Sequence, residues 1–165
     1  MPHLVRRLSA LALLLTALTF STSCIEHEDD PACDFRGLAY TDSSGTVLFT
    51  ATGDQDWCVD TLQTPLRDAQ LPPGSNGLAP AWPNPVEADS VHILFSLAQT
   101  GQVHLCLIAT TCDTVVTLVD GLVEQGAHEV IWSLKDEFGV RVPAGIYRCA
   151  WSCPELDCAG DILIP

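Results

Sequence analysis

The feature that most constrains the fold of this chain is an alternation of apolar and polar residues in its second half. Between Ser90 and Leu97, apolar side chains occupy every second position, as at Val91, Ile93 and Phe95. A period of two is typical of a β-strand with one buried face. Similar short runs follow at residues 102–109, 114–119, 127–134, 140–142 and 146–151, with turn residues between them. This pattern predicts an antiparallel β-sandwich without a long helix.

The residues before this alternation predict two smaller units. Residues 34–60 indicate a β-hairpin, because the turn sequence Asp42-Ser43-Ser44-Gly45 separates two apolar runs. Residues 61–85 form a connector rich in Pro and Gly, which argues against a long helix or a central strand there. Three acids of the hairpin unit fit either a calcium loop or an exposed turn, and the missing EF-hand Gly and Glu favour the turn. These acids are Asp54, Asp56 and Asp60.

The N-terminus predicts an export signal and a lipid anchor. Residues 1–23 combine two arginines with an apolar run that is too short to span a membrane. The small residues Ser21-Thr22-Ser23 precede Cys24, as in a bacterial lipobox, where the cysteine is acylated. Ordinary cleavage nearby, with Cys24 in a disulfide, is the alternative. Residues 24–33 form an acidic tether that is too polar to pack. We therefore expect an exported lipoprotein at the outer membrane or cell surface, with the periplasmic face as an alternative.

The charge and the motifs limit the classes of function. The formal net charge is −14, a field that repels phosphate backbones and argues against a nucleic-acid partner. It also opposes adhesion to anionic headgroups, so the expected membrane contact is the lipid anchor itself. No Gly-x-Ser-x-Gly elbow, His-Glu-x-x-His motif or phosphate-binding glycine loop is present. His92 and His104 lie on neighbouring predicted strands and could hold a metal together, but exposed strand positions are the favoured interpretation. We expect no enzyme activity and no cofactor.

Residues 83–147 carry a recognisable series of motifs. The series begins with Pro83-Asn84-Pro85 and continues through Leu118-Val119-Asp120-Gly121 and Gly126-Ala127-His128. It ends with Trp132, an Asp-x-x-Gly turn at Gly139, and Val142-Pro143-Ala144-Gly145-Ile146-Tyr147. This order resembles the Ig-like domain at the C-terminus of the flagellar hook-capping protein (FlgD-like) and the related sorting domains of secreted proteins. The residues of the structural motif are Pro83, Asn84, Pro85, Trp132, Gly139, Pro143, Gly145 and Tyr147.

The resemblance implies an Ig-like sandwich over residues 86–151, followed by a Cys-rich tail at residues 152–165. It supplies no catalytic residue, since such domains are scaffolds or binding modules. We therefore expect a lipid-anchored envelope protein whose sandwich contacts an envelope or extracellular protein through edge strands or end loops. The alternatives are a calcium- or glycan-binding surface lipoprotein and a subunit of a surface fibre.

The cysteines predict disulfides, because their density in an exported chain is high. Seven cysteines follow Cys24, so at least one is free or pairs between chains if Cys24 is acylated. No pair of close Cys-x-x-Cys knuckles is present, which argues against a zinc site. Spacing alone does not determine the connectivity. The implied sandwich suggests three pairs and leaves Cys112 as the free or intermolecular thiol. These pairs are Cys106 with Cys149, Cys153 with Cys158, and Cys33 with Cys58.

Overall fold

The computed structural model describes residues 33–35, 38–50, 57–58, 71 and 74–165, and this part of the chain is built from antiparallel strands with no α-helix. The predicted signal, Cys24, the tether before Cys33 and the acids Asp54, Asp56 and Asp60 lie outside the described residues. The strands are β1 (Ala39–Thr41), β2 (Val47–Thr50), β3 (Gly77–Leu78), β4 (Val91–Leu97), β5 (Gly101–Ala109), β6 (Thr114–Val123), β7 (Gly126–Trp132), β8 (Gly145–Cys153) and β9 (Leu156–Ile164).

The predicted hairpin is confirmed in β1 and β2, which pair antiparallel. Its turn is organised by Asp42, whose Oδ1 accepts hydrogen bonds from the backbone N–H groups of Ser44 and Thr46, both at 2.9 Å. The Ser44 hydroxyl also donates to this oxygen at 2.7 Å. These bonds, with that of the Ser44 side chain the largest, hold the pKa of Asp42 below its ordinary value. Gly45 completes the turn with a φ of 79°, a conformation that favours glycine.

The predicted sandwich is confirmed as two antiparallel sheets. One sheet has the strand order β3-β4-β7, and the other has the order β6-β5-β8-β9. The alternating residues of β4 face the core as predicted, with Ile93 and Phe95 almost fully buried. Across the core lie the inward residues of the other sheet, including Leu105, Leu107 and Trp151. The core therefore follows directly from the period of two in each strand.

Strand β6 is longer than the sequence predicts. The predicted run at residues 114–119 is followed by Asp120-Gly121, which is typical of a turn, but the expectation that the strand ends there is wrong, because Gly121 lies opposite Val103 within the β5–β6 ladder. The strand continues to Val123 and turns only before Gly126, whose φ is 130°. Apolar residues after the Asp-Gly pair provide the physical reason, since they keep pairing with the start of β5.

The C-terminal residues form a strand where we expected a tail. Strand β9 pairs with β8 from Leu156 to Ile164, after a turn at Pro154-Glu155. Its inward positions are buried, as shown by Cys158 and Ile162. The tail therefore supplies the edge of the four-stranded sheet, and the sheet does not end at β8.

One side of the sandwich, between the edges of β3 and β9, is closed by a two-residue bridge, and we call this the closed side. The backbone N–H of Trp57 donates to Ala159 O at 2.7 Å, and that of Cys58 donates to Leu78 O at 3.0 Å. A disulfide also joins Cys58 to Cys158. The Trp57 ring enters the core and lies directly against Gly160, where no Cβ obstructs it. Both sheet edges on this side are thus fastened covalently and by packing.

Candidate functional site

The predicted Pro83-Asn84-Pro85 motif forms a buried polar connection between distant strands. Both prolines follow cis peptide bonds, and the Asn84 side chain is 1% exposed. Its Nδ2 donates to Ala39 O at 2.9 Å and to Asp161 O at 2.8 Å. Its Oδ1 accepts from the N–H of Leu163 at 2.9 Å. This one side chain therefore joins the hairpin strand β1 to the C-terminal strand β9.

A buried ion pair extends this connection. Arg148 donates to Asp161 at 2.7 Å, and the two side chains are only 4% and 2% exposed. The Phe35 ring covers the Arg148 guanidinium at 6.0 Å from its centroid. We call Asn84, Arg148 and Asp161 the Asn84 network. Since Leu38 also bridges to Asp161, the network places the N-terminal segment against β9. Its chemistry is structural, because its charges are paired and inaccessible.

The aromatic residues of the motif also pack rather than react. The Trp132 and Tyr147 rings meet edge to face, with centroids 5.6 Å apart. The Trp132 Nε1 donates to Lys135 O at 2.9 Å, and the Tyr147 hydroxyl donates to Pro143 O at 2.8 Å. Gly139 has a φ of 78°, as a tight corner before these contacts requires.

The structure does not bring the candidate histidines together. His92 lies on β4 of one sheet and His104 lies on β5 of the other, so the expectation that they are on neighbouring strands is wrong. His92 stacks on Trp82 at 5.4 Å and contacts Glu129 at 2.6 Å. Whether two strands are neighbours depends on the sheet that each of them joins, and the periodicity of the sequence does not reveal this. Within the described ranges, no group of three or more His, Cys, Asp or Glu residues could hold a metal ion.

Two of the suggested cysteine pairings are wrong because Cys58 and Cys158 are bonded to each other. Cys58 therefore does not pair with Cys33, and Cys158 does not pair with Cys153. In the β8–β9 pair, Trp151 lies opposite Cys158. Cys153 lies two positions further along β8 and is therefore a diagonal neighbour of Cys158. Diagonal neighbours in a sheet are roughly 7–8 Å apart, which exceeds the reach of a disulfide.

The third suggested pairing also fails. Cys149 lies opposite Leu107, and Cys106 lies opposite Ala150, so the two thiols point to opposite faces of the sheet. Burial raises the pKa of both thiols, most strongly that of Cys149, which keeps them protonated and unreactive. Cys112 is half-buried in the turn after β5 and has no disulfide partner among the described residues.

The other side of the sandwich, formed by the edges of β6 and β7, lacks such a bridge in the part of the chain described, and we call it the open side. Both strands are terminal in their sheets. Large apolar side chains are exposed there: Leu122 is 75% exposed and Ile131 is 56% exposed. The adjacent corner presents Phe138, which is 81% exposed. Sequence reasoning did not single out this surface, because the order of strands in a sheet is not a local property. Exposed apolar residues at sheet edges are typical of an interaction surface.

The comparisons with known proteins do not identify a family. No known protein family matches the chain, and no curated protein matches it. Among solved structures, it is similar to dimeric latent PorU from Porphyromonas gingivalis, with 21% sequence identity and a TM-score of 0.40. The match covers 51% of this chain and 9% of that chain, so it spans less than a tenth of that protein. Across the described residues, no helix has the length and hydropathy needed to cross a membrane.

Proposed function

We propose that this protein is a lipid-anchored component of the cell envelope whose Ig-like sandwich is a non-catalytic module for binding another protein. The observation that carries the proposal is the asymmetry of the sandwich. Its closed side is fastened by the Cys58–Cys158 disulfide and the Trp57 ring, while no further described strand pairs with the edges of β6 and β7 on its open side, where Leu122 and Ile131 are exposed. A rigid scaffold with one accessible edge is a common arrangement for protein recognition.

The anchor part of the proposal rests on the lipobox-like sequence before Cys24. Acyl chains contribute about 0.8 kcal/mol per buried CH₂, so two or more chains would hold the protein at a membrane. The first described residues lie against β9, because Leu38 bridges to Asp161 and Asn84 binds Ala39. A tether attached to this segment would join the sandwich on its closed side, so that this side faces the membrane. The open side would then remain accessible to a partner.

The hook-capping resemblance supports the same class of function. Its motif residues make the contacts that stabilise the sandwich, as Asn84 and Tyr147 show.

The test is a crosslinked pull-down from intact cells that express the wild-type chain or Cys24→Ala. We expect the wild type to fractionate with membranes and to capture a defined partner protein, and we expect the variant to lose membrane association. A wild-type protein that remains soluble would contradict the anchor. Membrane association without any captured protein in either sample would contradict the binding module.

A further inference from the structure

Strand β6 has one side that no other described strand occupies. It is terminal in its sheet and pairs only with β5. Its ten residues, Thr114–Val123, include no Lys, Arg or Pro, which usually protect an edge strand from pairing with other chains. The first half is irregular, with two register shifts, and Val115 O there already accepts the N–H of Glu137 at 3.1 Å. The second half, residues 119–123, pairs with β5 without interruption, so this half is a regular edge that no described strand covers.

The side chains of this edge define two different faces. Val119 and Val123 pack against the core, whereas Leu122 is 75% exposed on the outer face. Asp120 is also exposed there and pairs only loosely with His104, at 3.6 Å. Between the two valines, Gly121 leaves open space, since an added Cβ would meet no atom within 4 Å. An aromatic side chain of an adjoining strand can cover an edge glycine of this kind.

The charge around this edge indicates the chemistry of its occupant. The edge strands β6 and β7 and their flanking turns carry six acids against two bases, the exposed Lys135 and Arg141, and Arg141 is already paired with Asp89 at 2.8 Å. These acids are Asp113, Asp120, Glu124, Glu129, Asp136 and Glu137. A second copy of this chain would bring the same acids and a net charge of −14 to the contact. Like charges oppose that pairing, whereas a basic segment is attracted.

We propose that residues 119–123 of β6 bind an extended, basic segment of a partner protein by strand addition. The segment places a basic residue opposite Asp120, an apolar residue opposite Leu122, and an aromatic residue in the space beside Gly121. Its backbone pairs with the free side of β6, which gives affinity, while these three positions give specificity. This inference rests on the proposed function and names the surface and the chemistry of its partner.

The test uses the exported full chain in detergent and a fluorescein-labelled peptide, Arg-Val-Ile-Phe-Arg-Val-Lys, as the probe. Fluorescence anisotropy is expected to show saturable binding with a Kd below about 1 mM. The Asp120→Lys variant is expected to weaken binding about fivefold, since like charges then lie opposite each other. Glu87→Lys makes the same change of charge at an exposed residue away from β6 and should leave binding unchanged. Gly121→Leu, which fills the open space, should also weaken binding.

Two further measurements keep the proposal open to refutation. A second probe carries N-methyl groups along both hydrogen-bonding edges of the peptide. It should not bind, because it lacks the backbone N–H groups needed to pair with β6. Equal binding of that probe, equal binding to Asp120→Lys, or no saturable binding would overturn the inference. A dimer of the unliganded protein that Leu122→Lys disperses would show that a second copy occupies the edge, which also overturns it.

The pull-down separates this inference from the proposed function. If Asp120→Lys and Leu122→Lys still capture the partner of the wild type, the β6 site is wrong and the binding module stands. If the peptide binds but the wild type captures no protein in cells, the edge accepts a strand while the proposed function fails.

Discussion

The contact between Trp57 and Gly160 yields a sharp prediction about stability. An added Cβ at Gly160 would overlap three atoms of the Trp57 ring, which is itself only 8% exposed. The ring cannot bend away like the end of a flexible chain, so Gly160→Ala must push it out of the core. Burial of roughly 200 Å² of aromatic surface at about 25 cal/mol per Å² corresponds to about 5 kcal/mol. Since the ring is displaced rather than deleted, we expect Gly160→Ala to lower the free energy of unfolding by about 3 kcal/mol.

The assay is a double-mutant cycle measured by guanidinium unfolding, with the Cys58–Cys158 disulfide intact. In a Trp57→Ala background the added methyl group meets no ring, so Gly160→Ala should cost less than about 0.5 kcal/mol there. Trp57 Nε1 has no hydrogen-bond partner in the described part of the chain, so the ring contributes packing and no lost hydrogen bond complicates the cycle. The expected coupling between the two substitutions is therefore about 2.5 kcal/mol.

Gly101→Ala is the matched control, because it adds the same atom to another strand glycine. Its Cβ would meet the Pro154 ring at 3.5 Å, an ordinary van der Waals distance, so we expect a change below about 1 kcal/mol. Equal costs of Gly160→Ala with and without the Trp57 ring would refute the reasoning. Such additivity would mean that the effect arises in the β9 backbone and not from the overlap.

Three further predictions follow from buried groups. Arg148→Met leaves Asp161 buried without its cation and should lower the free energy of unfolding, measured by thermal unfolding, by about 3–5 kcal/mol. The double variant Arg148→Met with Asp161→Leu should recover most of this loss. Tyr147→Phe removes one hydrogen bond to a backbone carbonyl and should cost about 1 kcal/mol in urea unfolding. Burial raises the pKa of the Cys106 and Cys149 thiols, so iodoacetamide at pH 8 should leave both unmodified in the folded protein. Mass spectrometry should find both alkylated when the protein is unfolded in urea. Labelling of the folded protein would contradict their burial.

The parts of the fold that the sequence predicts are those set by local patterns. Alternation in β4 and β5 places Ile93, Phe95, Leu105 and Leu107 in the core, because a period of two decides the face of each residue. The hairpin of β1 and β2 was also predictable from a local pattern, since Asp42 and its neighbours form the turn by contacts within a few residues.

The parts that the sequence did not predict depend on contacts between distant residues. The bonded cysteines Cys58 and Cys158 are separated by 100 positions. Their pairing depends on how the terminal strands β3 and β9 of the two sheets come together on the closed side. Strand β9 was missed because Gly160 and Cys158 occupy inward positions where a strand pattern would show large apolar residues. The candidate surface was only partly predictable: a contact through an edge strand was expected, but that β6 is terminal follows only from the strand order of its sheet.

The polar character of the Asn84 network has a consequence for the candidate binding surface. Apolar packing is non-directional and would let the N-terminal segment slide along the sheet. The Asn84 side chain donates a hydrogen bond to Ala39 O and accepts one from the N–H of Leu163. These bonds, together with the buried pair of Arg148 and Asp161, fix one register for that segment. Buried polar contacts of this kind act on specificity more than on net stability. The network therefore places the N-terminal segment beside β9, at one edge of the four-stranded sheet, while no described strand covers β6 at the other edge.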